Sequence, residues 1–140
     1  MAALIDTNIL VYRFDDRFPD KQKIATRILK EGIAKDSVRI PHQALVEFVA
    51  ATTRSIRGHV ILKPTDALRE VEAFLAQFTV LYPNEQIVLK EIQGCTSYQL
   101  SWFDAHMWAC AEHYGLNEIL TEDFQHDRTS GNVRTINPFL

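Results

Sequence analysis

The chain has 140 residues, of which 46% are hydrophobic, 10% aromatic and 24% charged. This composition is typical of one compact globular domain and excludes a disordered or repeat-built chain. The 18 acidic and 15 basic residues give a formal net charge of -3 with His neutral, whereas domains that bind nucleic acid through bulk charge are usually basic. We therefore expect a single domain over residues 1–140 without a broad electrostatic attraction to RNA or DNA.

The charge is unevenly distributed, because residues 1–69 sum to +4 and residues 70–140 sum to -7. No apolar run approaches the roughly 18 residues of a membrane span, and the start of the chain lacks the basic region of a secretion signal. The two cysteines, Cys95 and Cys110, form no CxxC motif and are too few for a disulfide framework. We expect a cytoplasmic protein with reduced thiols and no membrane partner.

The hydrophobic pattern predicts short strands that alternate with helices. Asn84 and Ser101 stand where helices begin, and Gly94 and Gly115 stand where we expect helices to end. In chain order we predict a strand over residues 3–6, helices over 7–14 and 20–35, a strand over 37–40, helices over 42–54 and 65–78, a strand over 79–82, helices over 84–93 and 101–114, and strands over 118–121 and 133–136.

This alternation indicates an α/β domain with a mainly parallel central sheet that is covered by helices on both faces. In such folds, ligands bind at the carboxyl ends of the strands, most often where the strand order reverses. Candidate functional residues should therefore be sought directly after predicted strands.

Acidic side chains occupy such positions. Asp6 ends the first strand, and Glu122 with Asp123 follows the strand over residues 118–121. Asp104 lies in the first turn of the helix that leads into that strand, and Glu47 lies within an otherwise apolar helix. Because the carboxyl ends of parallel strands share one edge of the sheet, we expect carboxylates from these positions to converge.

Converging carboxylates imply a bound cation. Like charges a few ångströms apart repel by about 4 kcal/mol per close pair at an effective dielectric near 20. Oxygen ligands favour a hard ion, so we expect one or two Mg²⁺ or Mn²⁺ ions rather than Zn²⁺. Such ions activate water and neutralise charge at a phosphate, which makes phosphodiester hydrolysis the expected chemistry.

Each acid also has a purely structural interpretation. Asp104 is three residues after Ser101, as in a capping box, and Glu122 and Asp123 are typical turn residues. Asp6 favours a site more strongly, because Thr7 and Asn8 follow it and can orient its carboxylate. Glu47 also favours a functional site over a purely structural role, because a glutamate among apolar neighbours is rarely buried without a partner.

Three other groups of residues have both a functional and a simpler structural interpretation. His106, Cys110 and His113 share one helix face and could begin a zinc site, although an ordinary helix face is the simpler interpretation. Aromatic residues at helical spacing are more typical of a core than of base stacking: Trp102, Phe103 and Trp108. Basic residues are more typical of solvated faces than of RNA contacts: Lys21, Lys23, Arg27, Lys30, Arg54, Arg57 and Lys63. Arg13 and Arg17 are nearest to Asp6 in sequence.

Four stretches in order resemble the PIN-domain ribonucleases, and most closely the VapC-type toxins. The stretches are LIDTNILVY at residues 4–12, ALVEF at 44–48, SWFDAHMWACAEHYG at 101–115 and ILTEDFQH at 119–126. The resemblance implies a three-layer α/β/α PIN-like domain with catalytic, metal-binding acids at Asp6, Glu47, Asp104 and Asp123. It also implies a supporting set that comprises Thr7, Asn8 and Thr121, with a lesser role for Glu122.

For function, the resemblance implies a Mg²⁺- or Mn²⁺-dependent endoribonuclease toxin that inhibits translation, forms a homodimer and is silenced by a cognate antitoxin. Two alternatives stay open: a HAD-like phosphatase, although Asn8 replaces the second Asp of that chemistry, and a non-catalytic RNA- or partner-binding module with a vestigial site. Asp127 departs from the small residue, often glycine, that many relatives have after the His of this motif. Setting aside the four proposed ligands changes the formal charge from -3 to +1.

Overall fold

The computed structural model describes residues 2–140. Its elements follow in chain order: β1 (Ala3–Ile5), α1 (Thr7–Tyr12), α2 (Pro19–Lys35), β2 (Val38–Pro41), α3 (His42–Thr53), α4 (Pro64–Gln77), β3 (Thr79–Leu81), α5 (Glu85–Tyr98), α6 (Trp102–His113), β4 (Glu118–Leu120), β5 (Arg128–Ser130) and β6 (Val133–Ile136). Every helix in this part of the chain is too short or too polar to cross a membrane.

The six strands form one sheet in the order β3-β2-β1-β4-β6-β5. All neighbouring strands are parallel except β5 and β6, which are antiparallel. From β1 the chain builds the sheet outward through β2 and β3, and it later returns to add β4 on the other side of β1. The strand order therefore reverses between β1 and β4, and parallel sheets of this kind bind ligands at such a point.

Helices cover both faces of the sheet, which confirms the predicted three-layer α/β/α architecture. Side chains of successive strand residues point to opposite faces, and in β1 Leu4 and Ile5 accordingly belong to two different core clusters. Ile5 packs with the layer of α1, α2, α3 and α4, where Phe48 is fully buried. Leu4 packs with the layer of α5 and α6, where Met107 and Trp108 are buried. The two cores fix the sheet between the helix layers.

The prediction that Gly94 ends a helix was wrong. α5 continues past Gly94 to Tyr98, and Gln99 ends it with a φ of 53°. Gly94 is buried, and a Cβ at this position would lie 2.8 Å from Cε3 of Trp108. Glycine is therefore required here by the close approach of α6, which local sequence rules do not detect.

Two further boundaries differ from the predictions. The fourth helix begins with Pro64 at its first position after Lys63, rather than with a Thr65 cap, since the fixed φ of proline suits the first turn.

β5 was not predicted at all, because its three residues are polar and it pairs only with β6. Gly131, with a φ of 61°, forms the turn of this hairpin together with Asn132, and a Gly-Asn pair is a recognised hairpin signal.

We predict that Gly94→Ala destabilises the protein. At a solvent-exposed helix position, replacing glycine by alanine would stabilise the protein by up to about 1 kcal/mol. At Gly94, however, the added methyl group collides with Trp108, and overpacking of this kind costs about 1–3 kcal/mol. Urea unfolding followed by circular dichroism measures the difference. Gln93→Ala, at an exposed position of the same helix, is the matched control and should change stability little. Equal stability of Gly94→Ala and the parent protein would contradict the packing argument.

Candidate active site

Asp6 lies directly after β1 and is only 2% exposed. Because β1 and β4 are parallel and in register, Thr121 lies beside Asp6 at the same edge of the sheet. The hydroxyl of Thr121 donates a 2.7 Å hydrogen bond to Oδ2 of Asp6. The backbone N–H of Thr7 donates a 2.7 Å bond to Oδ1, so that Asp6 also caps α1. The carboxylate is thereby held in one orientation at the point where the strand order reverses.

Burial raises the pKa of Asp6 from its ordinary value of 3.8 to about 6. The hydrogen bonds from Thr121 and Thr7 lower the pKa, but they compensate the loss of hydration only in part. The negative charges of Asp123 and Glu47 raise the pKa further. Carboxylates from two other parts of the chain thus lie close enough to Asp6 to act on its charge.

Asp123 follows β4 and is linked to the end of β1 through Asn8. The side-chain amide of Asn8 donates to Oδ2 of Asp123 at 3.2 Å and to the hydroxyl of Thr121 at 3.3 Å. The backbone N–H of Asp123 donates to the same hydroxyl at 3.1 Å. Asn8 and Thr121 therefore connect the carboxylates of Asp6 and Asp123.

Glu47 reaches this site from α3. Its carboxylate accepts a 2.7 Å bond from the Thr7 hydroxyl and a 3.0 Å bond from the Gln43 amide. Glu47 thus has polar partners, as expected of a glutamate in an apolar run, and its side chain is half-buried and lines an open groove. The adjacent Val46 is 51% exposed, so the apolar run does not mark a fully buried helix.

Asp104 lies in the first turn of α6, and both interpretations from the sequence describe part of its environment. Its backbone N–H donates to the hydroxyl of the cap residue Ser101 at 3.1 Å. Burial raises the pKa of Asp104, and the charge of Asp123 raises it further, whereas Ser101 and Arg128 lower it. Asp104 and Asp123 also line a common small cavity. A helix cap thus places this carboxylate beside the end of β4.

The polar groups that hold the four predicted acids are all neutral. Within residues 2–140, none of these carboxylates forms an ion pair with Lys or Arg, and the Oδ1 atom of Asn8 is buried without a hydrogen-bond partner. Uncompensated carboxylates and a free amide oxygen are the donors that a hard divalent cation prefers. The residues present therefore fit Mg²⁺ or Mn²⁺.

The four acids do not form the most compact group of potential ligands. Among residues 2–140, three ligand atoms come within 4.8 Å of one another at Asp15, Asp16 and His59. Both carboxylate oxygens of Asp15, however, accept bonds from Arg17, at 2.9 and 2.8 Å. An arginine that already neutralises Asp15 disfavours a metal there, whereas the predicted acids have no such competitor.

Glu122 is directed away from the predicted acids. Its carboxylate forms a 2.7 Å ion pair with Lys21 and accepts a hydrogen bond from the hydroxyl of Tyr12. Lys21 also lies over the rings of Tyr12 and Phe139, at 4.9 and 5.9 Å from their centroids. Glu122 thus connects β4 to α1 and α2, and its charge is neutralised by Lys21.

Asp127 likewise does not extend the acidic site. Its φ of 61° is in the left-handed region, where glycine carries no penalty and Asp or Asn is tolerated. The carboxylate pairs with Arg134 at 2.5 Å. The backbone conformation thus explains why a small residue suits this position, and Asp127 serves the turn before β5.

The zinc ligands considered in α6 are engaged elsewhere. Nδ1 of His106 is 2.7 Å from Oε1 of the buried Glu91, and Nε2 of His113 is 3.3 Å from the Asn84 amide. Cys110 is buried, and this burial raises its pKa to about 12. These contacts join α5 and α6 and do not assemble a metal site.

The aromatic residues of α6 divide between core and surface. Trp108 is buried and donates its indole N–H to the carbonyl of Ser130 at 3.0 Å. The expectation of a core position was wrong for Trp102 and Phe103, which are 57% and 43% exposed. They lie in the first turn of α6.

The sequence did not predict the groove beside Glu47 and Asp123. Tyr12, Phe18 and Arg54 line this groove. Tyr12 and Phe18 were not predicted to have a functional role, whereas Arg54 was considered only as one of several basic residues on solvated faces. Arg17 was noted only for its closeness to Asp6 in sequence. The clearest available signal was the position of Arg54 seven residues after Glu47, directly after the end of α3.

We predict that the stability of the metal-free protein decreases with rising pH through the titration of Asp6. Because the pKa of Asp6 is raised on folding, the folded state binds more protons than the unfolded state between about pH 4 and about pH 6. Two pKa units correspond to about 3 kcal/mol. Relative to Asp6→Asn, the parent protein should therefore lose up to about 3 kcal/mol of unfolding free energy over this range. Urea unfolding in a chelator measures both profiles, and parallel profiles would contradict the assignment.

Solved structures with the same fold have low sequence identity to this chain. A toxin-antitoxin complex from Klebsiella pneumoniae superposes with a TM-score of 0.69 at 19% identity, over 98% of both chains. VapBC2 from Rickettsia felis, bound to a promoter DNA fragment, gives 0.70 at 15% identity, over 96% of this chain and 97% of that chain. The sarcin-ricin loop cleaving toxin VapC20 from Mycobacterium tuberculosis gives 0.58 at 16% identity, over 84% and 87%.

A comparison with curated proteins gave no match. The sequence profile of the PIN domain, in contrast, matches residues 3–132. This range contains all six helices and the acids that converge where the strand order reverses. The chain therefore belongs to the PIN domain family.

Proposed function

We propose that residues 1–140 form a single nuclease domain, an endoribonuclease that depends on Mg²⁺ or Mn²⁺. The observation that carries this proposal is the hydrogen-bonded link from Asp6 through Thr121 and Asn8 to Asp123, across the ends of β1 and β4. It holds acids without basic partners at the ligand-binding edge of a PIN domain. PIN domains are nuclease folds, and the toxins among the similar structures support the same activity.

The proposed ligands of one or two ions are Asp6, Glu47, Asp104 and Asp123. A bound divalent cation supplies charge neutralisation at the phosphate and lowers the pKa of a water molecule. It would also relieve the repulsion that acts between Asp6, Asp123 and Glu47 in the metal-free site.

The chain itself contributes orientation and proton acceptors. Thr121 and the N–H of Thr7 fix both oxygens of Asp6, while Asn8 fixes one oxygen of Asp123. Glu47 is held by the neutral donors Thr7 and Gln43 and lines the groove. We assign to its carboxylate the role of accepting the proton of the attacking water, which is general base catalysis.

We further propose that the protein is the toxin of a toxin-antitoxin pair and inhibits translation in the cytoplasm. Supporting this, the similar structures from Klebsiella pneumoniae and Rickettsia felis are complexes of toxins with their antitoxins. The proposed partners are a cognate antitoxin, an RNA substrate and a second copy of the chain in a homodimer.

The phosphatase alternative is disfavoured by the position of Asn8. A HAD-like enzyme would need an acid at this position for proton transfer, but Asn8 donates its amide to Asp123 and Thr121. Its side chain therefore organises the carboxylates instead of exchanging protons. A non-catalytic module is distinguished by the cleavage experiment that follows.

We predict that Asp6→Asn and Asp123→Asn each lower Mg²⁺-dependent RNA cleavage by more than about 100-fold, because even residues that merely orient metal ligands typically contribute about 10–100-fold. Cleavage of a total tRNA and ribosomal RNA mixture, with and without EDTA, measures this loss. Circular dichroism should show folded variants.

The matched control is Asp127→Asn, which removes a carboxylate four residues from Asp123 that pairs with Arg134 outside the site. Its cleavage should stay within about twofold of the parent protein, since surface ion pairs contribute little. Undiminished cleavage by Asp6→Asn, or cleavage by the parent protein that resists EDTA, would refute the proposed function.

A further inference from the structure

A groove of about 490 Å³ opens beside the acidic site. We call it the side groove. Asn8, Glu47 and Asp123 line it where it meets the acids, and it continues past Arg17, Phe18 and Arg54. Ligand pockets in proteins have volumes of about 300–1,000 Å³, so the side groove can hold a group as large as one nucleotide.

One face of α3 forms a wall of the side groove. Glu47, Ala50 and Ala51 follow at helical spacing on α3, Arg54 follows directly after its end, and all four line the groove. The two alanines between the charged residues leave the groove open because their side chains are short. α3 ends at Thr53, and the six residues from Glu47 to Thr53 span about 9 Å of helix. Arg54, the extended residue that follows α3, therefore lies roughly 10 Å along the helix axis from the acid that faces the site.

The charges along the side groove change in sign from one end to the other. Within residues 2–140, the Arg54 side chain has neither an ion-pair nor a hydrogen-bond partner. Asp15 also lines the groove, but Arg17 neutralises it through two hydrogen bonds. Arg54 is therefore the cation available to pair with an anion such as a phosphate.

Phe18 gives the side groove an aromatic surface. Its side chain is 43% exposed, and its ring meets Tyr12 edge to face with centroids 5.6 Å apart. The guanidinium of Arg17 lies 5.6 Å from the ring centroid. An exposed ring that is fixed by its neighbours is a suitable platform for stacking a nucleobase.

A second cavity beside the acidic site offers much less room. Asp123 also lines a second cavity, of about 70 Å³, together with Asp104 and Arg128. A water molecule occupies about 30 Å³ of liquid volume, so this cavity can hold a few waters but no base. Of the two cavities that Asp123 lines, the side groove is therefore the one with room for a nucleotide.

We propose that the side groove binds one nucleotide of the RNA adjacent to the cleaved phosphate, with its phosphate paired to Arg54 and its base stacked on Phe18. This inference rests on the proposed ribonuclease function and adds an asymmetry to it. The RNA is recognised chiefly on one side of the cleaved bond.

Binding can be measured without cleavage in the Asp6→Asn protein. The probes are a fluorescein-labelled uridine hexanucleotide and a labelled hexamer of abasic nucleotides, which keeps the phosphates but lacks the bases. Fluorescence anisotropy over a series of salt concentrations gives the affinity and its salt dependence. Arg54→Gln should weaken binding of both probes about tenfold and reduce the slope of log affinity against log salt by about 0.7, the value for one phosphate contact on a single strand.

Phe18→Leu keeps an apolar side chain but removes the ring. It should weaken binding of the uridine probe about fivefold or more, because stacking contributes about 1–3 kcal/mol per base, and it should leave both the salt dependence and the affinity for the abasic probe unchanged. Arg69→Gln is the charge-matched control. Arg69 is exposed on α4 and does not line the groove, so this variant should bind as the parent does.

The outcomes separate the two proposals. If the parent protein cleaves RNA but Arg54→Gln and Phe18→Leu bind both probes as Arg69→Gln does, the assignment of the side groove is refuted and the nuclease function stands. Equal weakening of both probes by Phe18→Leu refutes base stacking. If the parent protein neither cleaves nor binds RNA, the proposed function fails together with the side-groove assignment.

Discussion

The hydrogen bond from the Thr121 hydroxyl to the Asp6 carboxylate is the interaction on which the acidic site depends. It joins residues 115 positions apart at the ends of two neighbouring parallel strands. The same hydroxyl accepts bonds from Asn8 and from the N–H of Asp123, so one buried oxygen organises both carboxylates. Burying Asp6 costs stability, as its raised pKa indicates, and a bound cation would recover this cost. The metal-free protein therefore carries an unfavourable charge arrangement that its proposed cofactor relieves.

The distribution of partners distinguishes these acids from their neighbours. Acids close by in sequence or space are neutralised by basic side chains: Asp15 by Arg17, Glu122 by Lys21 and Asp127 by Arg134. The predicted ligands are held by hydroxyl, amide and backbone N–H groups, which orient a carboxylate and leave its charge in place. The formal net charge of -3 therefore does not indicate how the charged side chains are arranged. Negative charge without basic partners collects where the strand order reverses, while the free Arg54 lies directly after the end of α3.

Local sequence signals predicted most elements because these signals act within a few residues. Asn84 and Ser101 accept the backbone bonds expected of helix caps. The same rules failed at Gly94, because its role is to admit Trp108 from another helix, and contacts of this kind leave no local pattern. The half-buried Glu47 shows a similar limit. An apolar run predicts a helix, but only packing decides which of its faces remains open.

The sequence by itself determined the alternation of strands and helices, the order of the acids and the placement of Asp6 and Asp123 after strands, since hydrophobic periodicity and turn chemistry are local properties. Local patterns could not separate the adjacent Glu122 and Asp123, which only the family resemblance ranked. Only the tertiary structure decided that Glu122 turns to Lys21 and Tyr12 while Asp123 turns to Asn8. The physical reason is that the charge state and direction of a carboxylate depend on donors brought close by folding. Those donors lie about 100 or more residues away in the chain.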